Sequence, residues 1–223
     1  MLERARASAT WADLGSGEWA VDVGGGYGRH AATWVPLGLR PVVLDPAPEM
    51  HERRDRDAGV GAVRATWERL PFRDETMGMV YAHLSIHYSG PERAVAEAVR
   101  VVRPGGAVSV WTLGPRHHST SFLSRWFPSV PGIDAQRFPD PGVLVDLLRQ
   151  AGVASVERDE VDAPVERSVG EFVAAVAARF VSTLQLVPEH ELEEGLGRFR
   201  EQHPDPAEMI RYSLRYDWVK ARV

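Results

Sequence analysis

Short apolar runs alternate along the chain with longer stretches in which apolar residues recur at helical spacing. This alternation is typical of a parallel sheet covered by helices, so the sequence predicts an α/β fold. Before the last part of the chain, the predicted strands are Trp19–Val23, Pro41–Leu44, Ala62–Arg64, Met77–Ala82, Ala107–Leu113 and Ala154–Arg158.

Residues that begin and end helices lie between these runs. The predicted helices are 28–37, one from Pro91 to the stop at Arg103-Pro104-Gly105-Gly106, one from Asp140-Pro141 to Gly152, and one over 192–199. Ser168 and Glu171 form a capping-box pattern ahead of an apolar stripe over 169–184, which predicts the strongest helix of the chain. Apolar and polar residues alternate over 212–218, as in a half-buried strand.

Length and charge narrow the class of protein. The chain has 223 residues, which suits one domain with a sizeable core. Its net charge of -5 repels phosphate backbones and anionic lipids, and there is no cysteine for thiol chemistry or a Cys-ligated metal. The sequence shows neither a signal-peptide core nor an apolar run of membrane length. We therefore expect a cytoplasmic protein that binds neither nucleic acid nor membrane.

The most informative segment is a predicted strand that runs into a glycine-rich turn with Gly24, Gly26 and Gly28. Glycine permits positive φ and lets a ligand approach the backbone without meeting a Cβ. A dinucleotide fingerprint needs glycine at position 29, where Arg29 stands, and a phosphate loop ending in Gly-Lys is absent. A glycine turn without a ligand is the structural alternative. The segment from Val21 to Gly28 resembles motif I of the class I S-adenosylmethionine-dependent methyltransferases, and this resemblance assigns Asp22, Gly24, Gly26 and Gly28 to the cofactor site.

A carboxylate follows the second predicted strand, in the segment from Val42 to Met50. Asp45 at the carboxyl end of a parallel strand can accept hydrogen bonds from a ribose diol. The resemblance assigns Asp45 and Pro46 to the cofactor site and Met50 to the adenine face. An acidic helix cap is the other interpretation of Asp45, and ordinary core packing is the other interpretation of Met50. Ala47 departs from the serine usual in the family.

A third segment, Trp67-Glu68-Arg69-Leu70-Pro71-Phe72-Arg73-Asp74, resembles the small-molecule branch known as type 11, and so does the later Arg-Pro-Gly-Gly. The resemblance covers about residues 19–113 and places Thr66 and Trp67 at the adenine. Thr66 stands where the family usually has an Asp that accepts a hydrogen bond from the adenine amino group. A hydroxyl can replace that acceptor but carries no charge. Met77-Gly78 replaces the usual Phe-Asp.

Two histidines, His83 and His87, follow the fourth predicted strand. The resemblance places His83 against the methionine half of the cofactor, and a neutral imidazole at His87 or His83 suits a general base for a hydroxyl or amine. Hydrogen-bonded loop histidines are the alternative. The zinc signature H-E-x-x-H fails at Leu84, so no metal is predicted.

The resemblance implies a Rossmann-like sheet of seven mostly parallel strands with helices on both faces. The last strand, over 212–221, is antiparallel, and the helices before it form a lid. The chain is predicted as a single domain over 1–223, with a cofactor half at about 19–113 and a substrate side and lid at about 114–211. Phe122, Trp126 and Phe127 are candidates for the roof of the pocket, whereas Phe180 and Phe199 are expected in the core.

The predicted reaction is methyl transfer from S-adenosylmethionine to oxygen, nitrogen or carbon of a small molecule, which leaves S-adenosylhomocysteine. A catalytically silent binder of the same cofactor is the first alternative, because Thr66 and the bulky His83 depart from the family pattern. A nicotinamide-dependent oxidoreductase is the second, and Arg29 argues against it. A monomer or a homodimer is expected.

Overall fold

A seven-stranded sheet organises the protein, and a computed structural model describes residues 2–223, with Arg56 described by its backbone alone. The strands are β1 (Trp19–Val23), β2 (Arg40–Leu44), β3 (Gly61–Val63), β4 (Met77–His83), β5 (Val102–Leu113), β6 (Ser155–Ser168) and β7 (Met209–Arg222). Their spatial order is β3-β2-β1-β4-β5-β7-β6. Each neighbouring pair from β3 to β5 is parallel. Strands β1, β2 and β4 are almost entirely buried and nearly all apolar, as strands covered on both faces must be.

The last strand runs against its neighbour. The amide of Gly105 donates to the carbonyl of Val223 over 2.7 Å, and the amide of Val223 donates to Gly106 over 3.1 Å. These bonds place the end of β7 beside the beginning of β5, which is the antiparallel arrangement. The predicted Rossmann-like fold, with a mostly parallel sheet and one reversed strand, is confirmed.

Nine α-helices lie within the described residues. They are α1 (Leu2–Ala12), α2 (Arg29–Ala32), α3 (Pro48–Glu52), α4 (Pro91–Val101), α5 (Pro115–His118), α6 (Val130–Arg137), α7 (Pro141–Gln150), α8 (Val169–Ala177) and α9 (Glu189–Gln202). Helix α1 covers a stretch for which the sequence predicted no element. None of the helices in 2–223 has the length and apolar character needed to cross a membrane.

The first predicted helix is shorter than expected. The helix predicted over 28–37 is the four-residue α2, followed by a 3-10 turn at Val35–Leu37. The Thr33 hydroxyl donates to the carbonyl of His30 over 2.6 Å, and Pro36 has no amide with which to extend the ladder.

The stripe predicted to form one helix through Leu184 is interrupted after Ala177. The capping box of Ser168 and Glu171 is present as predicted. Arg179 takes a positive φ of 48°, and its guanidinium donates to the carbonyl of Leu184 over 2.7 Å, so the chain turns back there. Phe180, expected in the core, is therefore 43% exposed. Phe199 is fully buried as expected.

The chain divides into two compact units. Unit 1 holds the residues up to 112 with 141–159 and 218–223, and unit 2 holds 113–140 with 160–217. Residues 141–159, which fall in the stretch predicted as the substrate side, group with unit 1. The candidate roof residues Phe122, Trp126 and Phe127 all belong to the hydrophobic core of unit 2. The Phe122 ring packs against Phe172, and the Trp126 ring packs against Phe199. The lid function of α8 and α9 stays a prediction.

Candidate cofactor site

A cavity of about 450 Å³ opens in unit 1 at the carboxyl ends of β1, β2 and β4. It is lined by Val23, Gly24, Gly26, Leu44, Asp45, Pro46, Met50, Ala65, Thr66, Trp67, Glu68, Leu84, Ser85 and Tyr88. Seven of the predicted site residues therefore share one wall, namely Gly24, Gly26, Asp45, Pro46, Met50, Thr66 and Trp67. The lining found among the described residues does not include Asp22, Gly28, His83 or His87.

Glycine is needed at positions 24 and 26 of the turn for different structural reasons. Gly24 has a φ of +71°, and a Cβ there would lie 2.4 Å from the Cβ of Ser85. Gly26 has a φ of +55°, and its Cβ would meet nothing closer than the Met50 sulfur at 3.7 Å. Gly24 is thus required by the protein's own packing, whereas Gly26 keeps open the space between the turn and Met50.

Gly28 lies outside the cavity, at the beginning of α2. It is the N-cap of that helix with a φ of +75°, and a Cβ there would contact Val43 at 3.4 Å. The next residue, Arg29, lies with its guanidinium 5.7 Å from the Tyr27 ring centre. Gly28 therefore shapes the turn without contributing to the cavity wall.

Asp45 joins the second strand to the glycine turn. One carboxylate oxygen accepts the amide of Gly26 and the other accepts the amide of Ala47, both over 3.0 Å. Its backbone carbonyl contacts the His51 ring over 2.8 Å. Asp45 is 9% exposed and lies in the cavity wall. The interpretation of Asp45 as a helix cap is wrong, because Ala47 is the N-cap of α3 and no described side chain caps that helix. Asp45 instead braces the segment before α3 and lies in the cavity wall.

The wall beyond β3 is formed by the turn at 65–68. Trp67 is 4% exposed and belongs to the core of unit 1, while Thr66 and Glu68 are exposed at the rim. The Thr66 hydroxyl is the main reason that the pKa of Glu68 is lowered. Arg93 Nε donates to the backbone carbonyl of Glu68 over 2.7 Å. Glu68 is a cavity residue that the sequence did not single out.

Leu84 and Ser85 complete the wall after β4, and the sequence did not predict either. Leu84 has a positive φ of 52°, which a non-glycine residue adopts only when its surroundings enforce it. Its amide donates to the carbonyl of Trp111 over 2.9 Å, and the Ser85 hydroxyl donates to the carbonyl of Val23. These backbone-directed bonds hold the turn against Gly24. A leucine in a sequence carries no signal for such a conformation.

Asp22 lies beneath the glycine turn. Burial, with the nearby Asp45 charge, raises its pKa to about 7, while the Ala31 amide acts in the opposite direction. A Cβ on Gly25 would come within 2.4 Å of this carboxyl group. The His30 ring nitrogen Nδ1 is 3.9 Å from Asp22 Oδ2, and burial lowers the pKa of His30 to about 4. At neutral pH the pH is therefore close to the pKa of the buried Asp22 carboxyl group, while the neighbouring His30 imidazole is uncharged.

The two candidate general bases differ in surroundings. His83 Nε2 accepts from Arg4 Nε over 3.1 Å, and its ring lies 4.7 Å from that of His30. Burial lowers the pKa of His83 well below its ordinary value. His87 lies in the 3-10 turn Ile86–Tyr88, with its ring centre 4.1 Å from that of the cavity residue Tyr88. Of the two, His87 is next to the cavity wall, and His83 joins β4 to α1.

The other histidine pair, His117 and His118, lies in unit 2 and is buried. Burial lowers the pKa of both rings. His117 Nδ1 accepts the amide of Arg215 over 3.2 Å. In the part of the chain that the structure describes, no three acidic, histidine or cysteine side chains are grouped as a metal site.

Comparison with known proteins decides the family. A family model described as a methyltransferase domain matches residues 21–110, from β1 into β5. Residues 21–110 form a methyltransferase domain. The match covers the glycine turn, Asp45 and the 65–68 turn, so the family predicted from these segments is confirmed.

Relatives named as methyltransferases match less than half of the chain. An uncharacterized methyltransferase of Mycobacterium sp. (strain JLS) is 39% identical over 105 residues, which are 44% of this chain and 41% of that protein. The malonyl-[acyl-carrier protein] O-methyltransferase of Salmonella typhimurium is 35% identical over 95 residues, which are 42% of this chain and 38% of that protein. The alignments thus span less than half the length of these relatives.

Several solved structures resemble the chain over nearly its whole length. A protein of Anabaena variabilis, described as a methyltransferase from an antibiotic biosynthesis pathway, has a TM-score of 0.76 and 19% identity. The likeness covers 100% of this chain and 97% of that chain. At this identity it supports the fold alone, which is that of the class I methyltransferases.

Proposed function

We propose that the chain binds S-adenosylmethionine and transfers its methyl group to a small-molecule acceptor. The observation that carries this proposal is one cavity wall on which Gly26, Asp45 and the 65–68 turn meet at the carboxyl ends of neighbouring parallel strands. Ligands of open α/β sheets bind at this edge. The cavity of about 450 Å³ is in the range of sites for drug-sized ligands.

The residues present suit this cofactor. Asp45 offers a carboxylate to a ribose diol, and its bond to the Gly26 amide holds it at the turn. Leu44, Met50 and Ala65 supply apolar surface for a purine. Gly26 leaves a space that any larger residue would fill. Asp22 lies beneath the turn, where its carboxyl group fills the space beside Gly25.

When bound, the cofactor supplies a methyl group that its sulfonium already activates, so positioning is the main task of the protein. We assign the general base to His87, which accepts a proton at its imidazole from an acceptor hydroxyl or amine. His83 is the weaker candidate, because its Nε2 already accepts from Arg4 and its basicity is low.

The acceptor is proposed as a small molecule methylated on oxygen, nitrogen or carbon. The name of the Salmonella relative, an O-methyltransferase of a carrier-bound malonyl group, favours oxygen of a carboxyl or hydroxyl as the first atom to try. The chain's net charge of -5 disfavours nucleic-acid acceptors.

Two alternatives give different results in the same experiments. A silent cofactor binder would bind S-adenosylmethionine without transferring its methyl group. An oxidoreductase would bind a nicotinamide dinucleotide. Arg29, directly after the last glycine of the turn, opposes the close approach of a helix to a pyrophosphate.

Calorimetric titration with S-adenosylhomocysteine, S-adenosylmethionine, NAD and NADP tests the binding part of the proposal. We expect saturable binding of the first two and none of the dinucleotides. Incubation with methyl-labelled S-adenosylmethionine and a panel of hydroxy, carboxy and amino compounds then tests transfer. Binding of NAD without binding of S-adenosylhomocysteine would overturn the proposal, and binding without transfer to any acceptor would favour the silent binder.

A further inference from the structure

A second cavity of about 460 Å³ lies in unit 1 and shares no lining residue with the candidate cofactor cavity. It is lined by Arg69, Leu70, Pro71, Phe72, Arg73, Glu97 and Arg100. The lining carries three arginines against one glutamate, although the chain as a whole has a net charge of -5. We infer that this cavity binds a phosphomonoester, whose phosphate group is held by Arg69 and Arg73. The inference goes beyond the proposed function and does not rest on it.

Arg100 and Glu97 form the fixed side of this cavity. Arg100 Nε and Nη2 donate to the two carboxylate oxygens of Glu97, each over 2.7 Å. The same guanidinium donates to the carbonyls of Leu70 and Phe72, both over 3.0 Å, and to the Asp74 carboxylate over 2.6 Å. All five N–H donors of Arg100 are therefore in use. The charge of Glu97 is neutralised at the same time, so it does not repel an anion from the cavity.

The loop between Arg69 and Arg73 is attached to α4. The Leu70 amide donates to a carboxylate oxygen of Glu97 over 2.8 Å, and Leu70 is 1% exposed in the core of unit 1. At the other end of the loop, the Arg73 carbonyl accepts the hydroxyl of Thr76. Because the backbone is already held, only the two arginine side chains must be ordered when an anion binds.

Arg69 and Arg73 supply the donors that Arg100 cannot. Both side chains are exposed, and neither makes a hydrogen bond, an ion pair or a ring contact to the residues that the structure describes. Each guanidinium presents five N–H donors in a planar fork that fits the oxygens of a phosphate or a carboxylate. Two like charges at one cavity repel each other, and an anion bound by both removes that repulsion.

Charge and size favour a phosphomonoester over a carboxylate. A phosphomonoester offers three terminal oxygens and about two negative charges at neutral pH, so it matches two guanidinium groups better than a singly charged carboxylate. The cavity of about 460 Å³ is in the range of small-molecule sites. Pro71 and Phe72 add apolar surface to the lining, which suits a ring or hydrocarbon attached to the phosphate.

Phenyl phosphate and benzoate test the inference, because they carry the two anions on the same ring. Calorimetric titration of the wild-type protein at low ionic strength should give saturable binding of phenyl phosphate, about 10-fold or more tighter than that of benzoate. In the double variant Arg69→Gln/Arg73→Gln, the affinity for phenyl phosphate should fall by about 10–100-fold, the range for losing hydrogen bonds to a charged group.

The double variant Arg6→Gln/Arg53→Gln is the matched control. It removes the same charge from exposed positions outside both cavity linings, so it should bind phenyl phosphate like the wild-type protein. Thermal unfolding of each variant checks that the fold is intact. A saturating amount of S-adenosylhomocysteine should not displace phenyl phosphate, because the two cavities have different lining residues.

Several results would overturn the inference. They are the absence of saturable phenyl phosphate binding, unchanged binding in Arg69→Gln/Arg73→Gln, and an equal loss in the control variant, which would mean that the probe responds only to overall charge. Benzoate bound as tightly as phenyl phosphate would contradict the assignment to a phosphate. Complete displacement by S-adenosylhomocysteine would place the probe in the cofactor cavity instead.

Discussion

The carboxylate of Asp45 and the backbone amide of Gly26 are joined by a 3.0 Å hydrogen bond. Asp45 lies directly after β2, and Gly26 lies in the turn after the neighbouring parallel strand β1. The bond joins the two segments that we propose hold the nucleoside. It also means that the acid which is expected to bind ribose has a structural partner in the free protein.

Replacement of Asp45 should therefore affect binding and folding together. Asp45→Ala is expected to weaken S-adenosylhomocysteine binding by about 1.5–3 kcal/mol, because hydrogen bonds to a charged group are lost. The amides of Gly26 and Ala47 lose their acceptor as well, so the free energy of unfolding should fall by about 1–2 kcal/mol. Calorimetry and urea denaturation measure the two effects. Binding as tight as that of the wild-type protein would show that another residue holds the ribose.

Because Gly24 packs closely against Ser85, a side chain at position 24 should destabilise the fold, and a smaller residue at position 85 should restore part of the stability. Gly24→Ala places a Cβ 2.4 Å from the Ser85 Cβ at a residue with positive φ, so we expect a loss of more than about 2 kcal/mol in unfolding free energy. In the double variant with Ser85→Gly, the collision is removed and only the backbone strain of roughly 1 kcal/mol should remain. Denaturation of both variants and of Ser85→Gly alone gives the coupling. Additive losses would contradict the contact.

Gly26 should behave differently from Gly24. Gly26→Val meets open space up to the Met50 sulfur, so its stability cost should come mainly from positive φ, roughly 1–2 kcal/mol. The side chain would nevertheless fill part of the cavity, and S-adenosylhomocysteine binding should fall below detection at 1 mM ligand, a free energy of about -4 kcal/mol. Titration and thermal unfolding of the same preparation separate the two quantities. A folded Gly26→Val protein that binds normally would place the nucleoside elsewhere.

Asp22 predicts an unusual dependence of stability on pH. Its pKa is about 7 in the folded protein, whereas the ordinary value for an aspartate is 3.8, so between these values the native state holds a proton that the unfolded chain has lost. Stability from this group is therefore lost as pH rises from about 4 to 7. Asp22→Asn, which never ionises, should gain up to about 4 kcal/mol relative to wild type over this window.

Urea denaturation of both proteins at pH 4, 5, 6, 7 and 8 measures the difference. His30 titrates with the opposite sign, because its pKa of about 4 lies below the ordinary value of 6.5, and its stability contribution is lost as pH falls. Because His30 is present in both proteins, subtracting the wild-type unfolding free energy from that of Asp22→Asn at each pH removes most of the contribution of His30. A difference that stays constant from pH 4 to 8 would mean that Asp22 ionises normally in the folded protein.

The two histidines near the end of β4 should give contrasting variants. His83→Ala removes the ring that contacts Arg4 and His30, and is expected to cost about 1–3 kcal/mol of stability with little change in S-adenosylhomocysteine affinity. His87→Ala should leave affinity within a few-fold and lower methyl transfer by roughly 10²–10⁴, the usual contribution of a general base. Single-turnover transfer to the acceptor found in the panel measures this. If neither variant loses activity, positioning alone carries the reaction.

The sequence by itself determined the family, the approximate positions of the strands and half of the residues that line the candidate cavity. Parallel strands covered on both faces must be apolar throughout, and a turn with positive φ needs glycine. Residue types and their spacing are therefore enough to predict these features. The acid after β2 could be identified for the same reason, since its place in the chain fixes its place at the sheet edge. The capping box at Ser168 is equally local.

Only the tertiary structure decided which side chains contact each other and how burial changes the pKa values of the ionisable groups. The positive φ of Leu84, the break of the long stripe at Arg179 and the contact between His83 and Arg4 depend on partners distant in sequence or on packing that no local pattern encodes. The raised pKa of Asp22 likewise comes from burial beneath the turn. Propensity and periodicity are local properties, whereas electrostatics and steric exclusion are set by the assembled fold.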